Sequence, residues 1–243
     1  MAKADFLIVG AQKCGTTTLH HHLVTHPDLF LPATKEVHFF DDDSRDWTAP
    51  DYSDYDAVFS AAEPGQLCGE ITPAYMLHRR FLERIRVYNP QIRLIAILRD
   101  PIRRAWSNWR MEVSRDAEDL PFPQAIREGR ERRTRDWRVY SYVERGFYAG
   151  QIANMFDLFP RENCHFLLTD DLAVQPGKAV NDICAFLGCR PMQNIAPAVI
   201  QPIKSRDLGS ISAQDASYLA GLYAEDVRKT ASLIGRDLDG WLR

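Results

Sequence analysis

The stretch FLIVGAQKCGTTT, which runs from Phe6 to Thr18, does most to decide the fold. Its first four residues form a short apolar run closed by Gly10, a pattern typical of a buried strand. From Thr16 onward apolar residues recur at helical spacing, and Pro27 stops that helix after His26. The stretch therefore predicts a strand, a glycine loop and a helix in direct succession.

A loop between a strand and a helix is suited to bind an anionic group. Its backbone N–H groups and the positive end of the helix dipole both attract negative charge. Lys13 adds a full positive charge, and three successive threonines, Thr16 to Thr18, add hydroxyl donors. Threonine is a poor helix former, so three in a row at a helix start favour a binding role over a plain tight turn with an exposed lysine. We expect this loop to hold a nucleotide phosphate.

The loop does not match the Walker A pattern, which requires a lysine directly after the second glycine. Thr16 stands at that position, and the lysine lies before Gly15, at Lys13. The usual magnesium-binding hydroxyl and the lysine for the β- and γ-phosphates are therefore both missing. A P-loop nucleotide kinase or NTPase stays an alternative, although this chain lacks the Gly-Lys-Ser/Thr triplet that such enzymes have.

The rest of the chain alternates between strand and helix patterns. We expect strands at 67–70, 93–98 and 165–168, and a long polar, aromatic loop with short helical pieces at 39–64. Helices are expected from Pro73 to before Pro90, from Pro101 past Trp109, and over 143–159, 178–187 and 213–233. This alternation predicts one domain over residues 1–243. The fold class is α/β, a P-loop-like three-layer fold with a central parallel sheet flanked by helices.

Composition excludes several classes of protein. The chain of 243 residues has 45% hydrophobic and 26% charged residues, which is ordinary globular usage, and its net charge of −3 predicts no nucleic-acid partner. No apolar run is long enough to span a membrane, and the amino terminus shows no signal-peptide pattern, so we expect a cytoplasmic protein. The arginine-rich stretch 127–138 is interpreted as a solvated face, with a local basic patch as the alternative.

The five cysteines do not form a metal-binding pattern. Cys184 and Cys189 are five residues apart, with no second pair to complete a zinc site. An odd number of cysteines also argues against a disulfide framework, so we expect reduced thiols and no metal.

Two motifs resemble those of the PAPS-dependent sulfotransferases. The loop QKCGTTTL from Gln12 is similar to the family's 5′-phosphosulfate loop, in which a lysine precedes Gly-Thr-Thr. The segment LRDPIRRAWS, from Leu98 to Ser107, is similar to its 3′-phosphate motif. Strand 93–98 would deliver Arg99 to the carboxyl edge of the sheet, where ligands of open α/β sheets bind. Ser107 would follow two helical turns later.

Further matches point to the heparan sulfate sulfotransferase branch and to bacterial relatives. KEVHFFD, from Lys35 to Asp41, resembles the branch's E-V-H-F-F-D segment, and GEITPAY, from Gly69 to Tyr75, resembles its E-K-[TS]-P-A-Y-F. Ile71 stands where that second motif has a lysine, which puts a heparan-like acceptor in doubt. Lys35 is a candidate replacement for that charge.

The resemblance implies a role for each matched residue. Glu36 would be the general base, His38 would line the same site, and Lys13 would stabilise the departing 3′,5′-ADP. The donor PAPS would be bound by Gln12, Lys13, Cys14, Gly15, Thr16, Thr17, Thr18, Arg99 and Ser107, and by a late loop of Lys204, Ser205 and Arg206. The acceptor would be bound by Lys35, His38, Asp41, Glu70 and Tyr75.

The function implied is transfer of a sulfuryl group from PAPS to a hydroxyl or amine of a small acceptor, such as a carbohydrate, a natural product or a lipid, without a metal. A non-catalytic nucleotide-binding protein of the same fold is the alternative from another class. The acceptor's identity, O- against N-sulfation and the oligomeric state are open at this stage.

Overall fold

The computed structural model of the chain describes residues 2–193, 195 and 208–242. Two compact units make up the chain, one of Met1–Leu98 with Asn154–Ile200 and the other of Arg99–Ala153 with Gln201–Arg243. The single domain expected over residues 1–243 stays a prediction.

The first unit contains a five-stranded sheet. Its strands are β1 (Phe6–Gly10), β2 (Leu29–Phe30), β3 (Leu67–Ile71), β4 (Arg93–Leu98) and β5 (Cys164–Leu168). They lie in the order β2-β3-β1-β4-β5, and every neighbouring pair is parallel. Phe6 in the central strand pairs with Gly69 on one side and with Arg93 on the other. The predicted α/β class with a parallel sheet is confirmed.

The described residues also form ten α-helices, distributed over the two units. They are α1 (Thr16–Leu23), α2 (Ser53–Ala57), α3 (Arg79–Tyr88), α4 (Pro101–Ser114), α5 (Phe122–Arg132), α6 (Trp137–Tyr140), α7 (Tyr148–Leu158), α8 (Thr169–Val174), α9 (Pro176–Leu187) and α10 (Ala213–Ile234). Short 3₁₀ turns cover Tyr75–Leu77, Glu144–Gly146, Arg161–Asn163 and Asp239–Leu242.

The central strand β1 is apolar along its whole length, and β4 is apolar after Arg93, as expected for strands buried on both faces of a sheet. All five residues of β1 are buried, and the side chains of Phe6 to Val9 have no exposed surface. Strands buried on both faces have continuous rather than alternating apolar patterns, and the close agreement of β1 and β4 with their predicted bounds follows from this.

Several helix boundaries differ from the sequence predictions. The helix expected over 143–159 is divided into a 3₁₀ turn and α7, which begins at Tyr148 because the Asp226 carboxylate accepts its backbone N–H at 2.8 Å. The helix expected from Pro73 begins only at Arg79, and its apolar face includes Tyr88 instead of Val87, which is 71% exposed. Helix α1 ends at Leu23, short of His26.

The arginine-rich stretch lies in the second unit and is engaged in ion pairs. Arg127 pairs with Asp215, Arg132 with Glu118, and both Arg130 and Arg133 with Glu144. The partner carboxylates all come from outside the stretch. The stretch ties helix α5 to its neighbours within the unit.

All five thiols are free, and Cys14, Cys68, Cys164 and Cys184 are buried, while Cys189 is partly exposed. Within the part of the chain that the structure describes, no helix combines the length and the apolar character needed to cross a membrane.

Candidate active site

The loop after β1 is anchored on two sides within the first unit. The Ala11 N–H donates to the Ile97 carbonyl at 2.8 Å, which ties the start of the loop to β4. The Thr169 hydroxyl donates to the Cys14 carbonyl at 2.6 Å and to the Leu98 carbonyl at 3.0 Å. Thr169 was missed by sequence reasoning, although it directly follows β5 at the same carboxyl edge of the sheet.

The loop has an unusual backbone that suits an anion site. Lys13 has φ 69° and Gly15 has φ 100°, both in the left-handed region, and Gly15 caps α1 without a side-chain hydrogen bond. The first N–H groups of any α-helix have no intrahelical acceptor, so the amides of the threonines that open α1 are available to a ligand. Thr16 is buried, Thr17 is exposed and Thr18 is half-buried. The predicted phosphate-binding residues 12–18 are thus gathered in one loop.

A second cluster in the same unit is formed by Glu36, His38 and Asp41. The His38 Nδ1 lies 2.9 Å from Oδ2 of Asp41, and its Nε2 lies 3.6 Å from Oε2 of Glu36. The Asp41 side chain is fully buried, whereas those of Glu36 and His38 are 36% and 43% exposed. The imidazole thus stands between a buried and an accessible carboxylate, the arrangement of an oriented acid–base pair.

Electrostatics in this cluster favour the charged forms of both accessible groups. Hydrogen bonds to Asp41 and then to Glu36 outweigh burial and raise the pKa of His38 to about 9. Burial tends to raise the pKa of Glu36, but hydrogen bonds from His38 and Lys35 prevail and lower it to about 2. At neutral pH the cluster therefore holds an imidazolium between carboxylates.

Lys35 belongs to this cluster through its ammonium group. Its Nζ makes a short ion pair with Oε1 of Glu36, and the Lys35 side chain is only 20% exposed. The charge of Lys35 also contributes, after burial, to lowering the pKa of His20 in α1. Lys35 therefore faces both Glu36 and the helix that follows the Lys13 loop.

The other predicted acceptor residues lie beneath the cluster. Glu70 is 1% exposed and Tyr75 has no exposed surface, so neither presents a side chain to solvent. The Tyr75 hydroxyl accepts the N–H groups of Phe39 and Phe40, and the Glu70 carboxylate accepts the Thr72 hydroxyl. Ile71, at the position where the related motif has a lysine, is also buried at 1% exposure and packs in the core.

The second unit contains the other predicted donor-binding residues. Arg99 directly follows β4 in the sequence, and its carbonyl accepts a hydrogen bond from the Tyr148 hydroxyl at 2.9 Å. Asp100 caps α4 by accepting the Ile102 N–H at 2.8 Å, and Pro101 takes the first helical position. Ser107 is half-buried, two turns into α4 as predicted. Lys204, Ser205 and Arg206 lie outside the described residues.

Three potential metal ligands lie together elsewhere in the first unit. The ligand atoms of His26, Cys184 and Cys189 are within 4.8 Å of one another. Nδ1 of His26 accepts the Asp28 N–H at 3.0 Å, which leaves Nε2 to donate to the Arg190 carbonyl at 2.8 Å. A metal ion bound at Nε2 would force a proton onto Nδ1 against that N–H, so this tautomer argues for a structural histidine.

Comparison with known proteins agrees with this geometry. The model of the sulfotransferase domain family matches residues 3–208. The heparan sulfate glucosamine 3-O-sulfotransferase 6 of Mus musculus is 31% identical over 189 residues, which are 76% of this chain and 52% of the mouse protein. The chain thus spans about half the length of the curated relatives it matches.

Solved structures give the same result. A sulfotransferase from Alicyclobacillus acidocaldarius is 28% identical, with a TM-score of 0.87 and complete coverage of both chains. A mouse sulfotransferase solved in complex with PAP shares the fold, with a TM-score of 0.58 at 15% identity, over 96% of this chain and 88% of the mouse chain. A parallel sheet, a lysine-bearing loop before a helix, and a family model that matches most of the chain lead to one conclusion: this chain belongs to the sulfotransferase family.

Proposed function

We propose that the chain transfers a sulfuryl group from PAPS to a hydroxyl or amine of a small acceptor. The observation that carries the proposal is the cluster of Glu36, His38 and Asp41, which combines an accessible carboxylate with an imidazole oriented by a buried one. It lies in the unit that also carries the Lys13 loop. Family membership supports sulfuryl transfer in general.

The Lys13 loop fits the phosphate end of such a donor. Lys13 and Gly15 have the left-handed backbone that is typical of anion-binding turns, and the start of α1 adds N–H groups without intrahelical acceptors. The buried Oε1 of Gln12 has no hydrogen-bond partner among the described residues, so the loop contains an unsatisfied polar atom that a ligand can engage. PAPS, when bound, supplies the activated sulfuryl group and a phosphate leaving group.

Each residue of the cluster then has a task. Glu36 accepts the proton of the acceptor's hydroxyl or amine as that group attacks sulfur. His38, held by Asp41 at Nδ1, orients the Glu36 carboxylate or holds the acceptor through Nε2. Lys13 balances the negative charge that develops on the leaving phosphate.

The low pKa of Glu36 has a consequence for this mechanism. A carboxylate with a pKa of about 2 is ionised at neutral pH but is a weak proton acceptor. We propose that Lys35 turns from Glu36 toward the donor's sulfonate when both substrates are bound. Loss of that ion pair would raise the pKa of Glu36 at the moment when it must take a proton.

Arg99 and Ser107 are assigned to the 3′-phosphate of the donor on the resemblance of their motif, together with Lys204, Ser205 and Arg206. A 3′-phosphate distinguishes PAPS from ADP and ATP. An arginine and a hydroxyl are suitable donors for it because a guanidinium binds phosphate oxygens through two parallel hydrogen bonds.

The acceptor proposed is a carbohydrate with a free hydroxyl or amine. The relatives named as heparan sulfate glucosamine 3-O-sulfotransferases support this class. The buried Ile71 separates this chain from the related lysine-bearing motif, so the preferred sugar is expected to differ from heparan sulfate. Natural products and lipid headgroups remain in the proposal as acceptor classes.

The rival functions make different predictions about nucleotide binding. A P-loop kinase would bind ATP with magnesium, and a non-catalytic binder would bind nucleotide without turnover. Calorimetry with 3′,5′-ADP and with ATP plus magnesium separates the kinase from the sulfotransferase. Incubation with isotope-labelled PAPS and a panel of glucosamine-containing oligosaccharides, read by mass spectrometry, tests turnover. Tight ATP binding without 3′,5′-ADP binding would overturn the proposal.

A further inference from the structure

Residues 36–40, which include Glu36 and His38, are held by hydrogen bonds to residues at and after the end of β3. We call them the suspended segment. The Glu36 N–H donates to the Ile71 carbonyl at 3.0 Å, and the His38 N–H to the Thr72 hydroxyl at 3.4 Å. The N–H groups of Phe39 and Phe40 both reach the Tyr75 hydroxyl, at 3.0 and 3.5 Å. The backbone N–H groups of residues 36 and 38–40 are thus all accepted by residues 71–75.

Glu70 lies at the centre of that stretch. Its Oε2 accepts the Thr72 hydroxyl at 2.8 Å. Its Oε1 makes no full hydrogen bond to the described residues, but the Tyr75 hydroxyl and the Val37 N–H lie near enough to stabilise negative charge on the carboxyl group. The hydroxyls of Thr72 and Tyr75 both accept amides of the suspended segment, so their protons are left to point at Glu70.

The suspended segment needs this support because its backbone is strained. Glu36 has φ 64° and His38 has φ 57°, and neither is a glycine. Left-handed backbone is unfavourable for an ordinary L-residue, so it persists only where the surroundings hold it in place. Two such residues, separated only by Val37, set the directions of the two side chains that face solvent.

We infer that Glu70 is a positioning residue for Glu36 and His38. Its carboxyl group orients the hydroxyls of Thr72 and Tyr75, and these in turn hold the amides of residues 38–40. The inference concerns the geometry of the segment itself; its bearing on catalysis rests on the proposed function. It also gives Glu70 and Tyr75 a supporting role beneath the site, in place of direct contact with the acceptor.

The protonation state of Glu70 is coupled to this arrangement. Burial is the largest influence and raises the pKa of Glu70 to about 7, against hydrogen bonds from Thr72 and Tyr75 and the charge of His38. Tyr55 of α2 also faces the carboxyl group, whose charge helps to raise the pKa of that tyrosine after burial. Glu70 therefore titrates near neutral pH. The positive charge of His38, on the suspended segment, favours the ionised form of Glu70.

The test uses the full chain and three variants. Glu70→Gln removes the charge, Tyr75→Phe removes the hydroxyl that accepts two amides, and Thr72→Val removes the intermediate hydroxyl. Tyr88→Phe is a matched control. Tyr88, like Tyr75, packs its ring against Phe40, but its hydroxyl hydrogen-bonds to Ala4 and Asp56. Hydrogen exchange of individual amides and the NMR titration of His38 are measured for each protein. Neither readout depends on an acceptor.

We expect the amides of residues 38–40 to exchange roughly tenfold faster in Tyr75→Phe, which loses the hydroxyl that accepts two of them, and in Glu70→Gln. In the latter an NH₂ donor replaces one of the two acceptor oxygens toward which the hydroxyls of Thr72 and Tyr75 point. The pKa of His38 should fall from about 9 toward 6.5 in Glu70→Gln as its contact with Asp41 loosens. Tyr88→Phe should leave both readouts unchanged. Stability should also respond to pH: with a raised carboxyl pKa, wild-type stability declines as pH rises from about 4.5 through about 7, and Glu70→Gln should lack this slope.

Unchanged exchange at residues 38–40 together with an unchanged His38 titration would overturn the inference. Uniformly faster exchange across the whole sheet would also overturn it, because Glu70 would then be a general stability residue. If Glu70→Gln does not fold, Tyr75→Phe and Thr72→Val decide by the same criteria. If exchange and titration change as expected while no labelled PAPS is consumed by the wild type, the positioning role stands and the proposed function fails.

Discussion

The hydroxyl of Thr169, at the first residue of α8, donates a hydrogen bond of 2.6 Å to the carbonyl oxygen of Cys14 in the loop after β1. The same hydroxyl contacts the Leu98 carbonyl at the end of β4 at 3.0 Å. The Thr169 side chain thus connects the start of α8 to both the loop and the end of β4. The loop's shape depends on a residue far from it in sequence.

Removing this hydroxyl should loosen the loop. In Thr169→Val we expect the affinity for 3′,5′-ADP to fall roughly tenfold, because the loss of a buried hydrogen bond costs about 1 kcal/mol or more and leaves two carbonyls without their donor. Calorimetry on the purified protein measures the change. Thr169→Ser keeps the hydroxyl and should bind like the wild type. Equal affinity in the valine and serine variants would contradict the role assigned to Thr169.

Gly15 should not tolerate a side chain, for a conformational reason. A Cβ at Gly15 would meet Ile97, Thr169 and Leu172 at ordinary contact distances, but its φ of 100° is unfavourable for alanine. We expect Gly15→Ala to lower the free energy of unfolding by about 1–2 kcal/mol and to weaken 3′,5′-ADP binding. Gly221→Ala, within α10 and with open space around it, should instead stabilise by about 0.5–1 kcal/mol in the same urea titrations. A Gly15→Ala protein as stable as the wild type would refute this account.

Glu36→Gln should separate chemistry from donor binding. A general base contributes about 10²–10⁴-fold in rate, so we expect a loss of that size in sulfated product, with 3′,5′-ADP affinity unchanged. Glu83→Gln is a suitable control, because Glu83 is an exposed carboxylate of α3 paired with Arg79. Product formation by the Glu36 variant at near wild-type rate would remove Glu36 from the mechanism.

The stability of the protein should depend on pH through His38. Its pKa is raised from 6.5 to about 9 by the carboxylates of Asp41 and Glu36. A raised pKa means that this contribution is fully present below about 6.5 and is lost as pH rises through about 9. Wild-type unfolding followed by circular dichroism between pH 6 and pH 10 should show that loss, and Asp41→Asn should reduce it. An identical pH dependence in both proteins would argue against the ion pair.

Arg99 should confer preference for a 3′-phosphate. Hydrogen bonds to charged groups are worth about 1.5–3 kcal/mol, so Arg99→Gln should weaken 3′,5′-ADP binding roughly 10- to 100-fold and leave binding of 5′-ADP little changed. Arg103→Gln changes an exposed arginine in the first turn of α4 and should bind both nucleotides normally. Equal losses for both nucleotides in the Arg99 variant would remove the assignment.

Patterns local to the chain were sufficient to predict four of the five strands of the sheet. Strand β4 has the predicted bounds, and β1 and β5 each differ from the prediction by one residue. Continuous apolar runs between polar loops leave little choice of where a strand begins and ends. Strand β2 has two residues, and helix α8 starts without a gap after β5, so neither has a periodicity that a sequence can reveal.

The candidate site was predicted in part. Motif spacing identified the loop around Lys13 and the segment around Glu36. The difference between an exposed His38 and a buried Glu70 could not be predicted, because it depends on contacts between segments more than thirty residues apart. The ion pairs of the arginine-rich stretch were missed for the same reason, since Asp215 and Glu118 lie outside it.

The strand order has a consequence for the protein during its synthesis. Of the five strands of this sheet, Phe6–Gly10 is synthesised first, yet it is the middle strand, and its partners are β3 and β4. At about 5–20 residues per second, this fully apolar segment waits several seconds before Leu67–Ile71 exists to pair with it. The nascent chain therefore presents this buried apolar strand unpaired, which makes Phe6–Gly10 a natural binding target for chaperones that recognise apolar extended peptides.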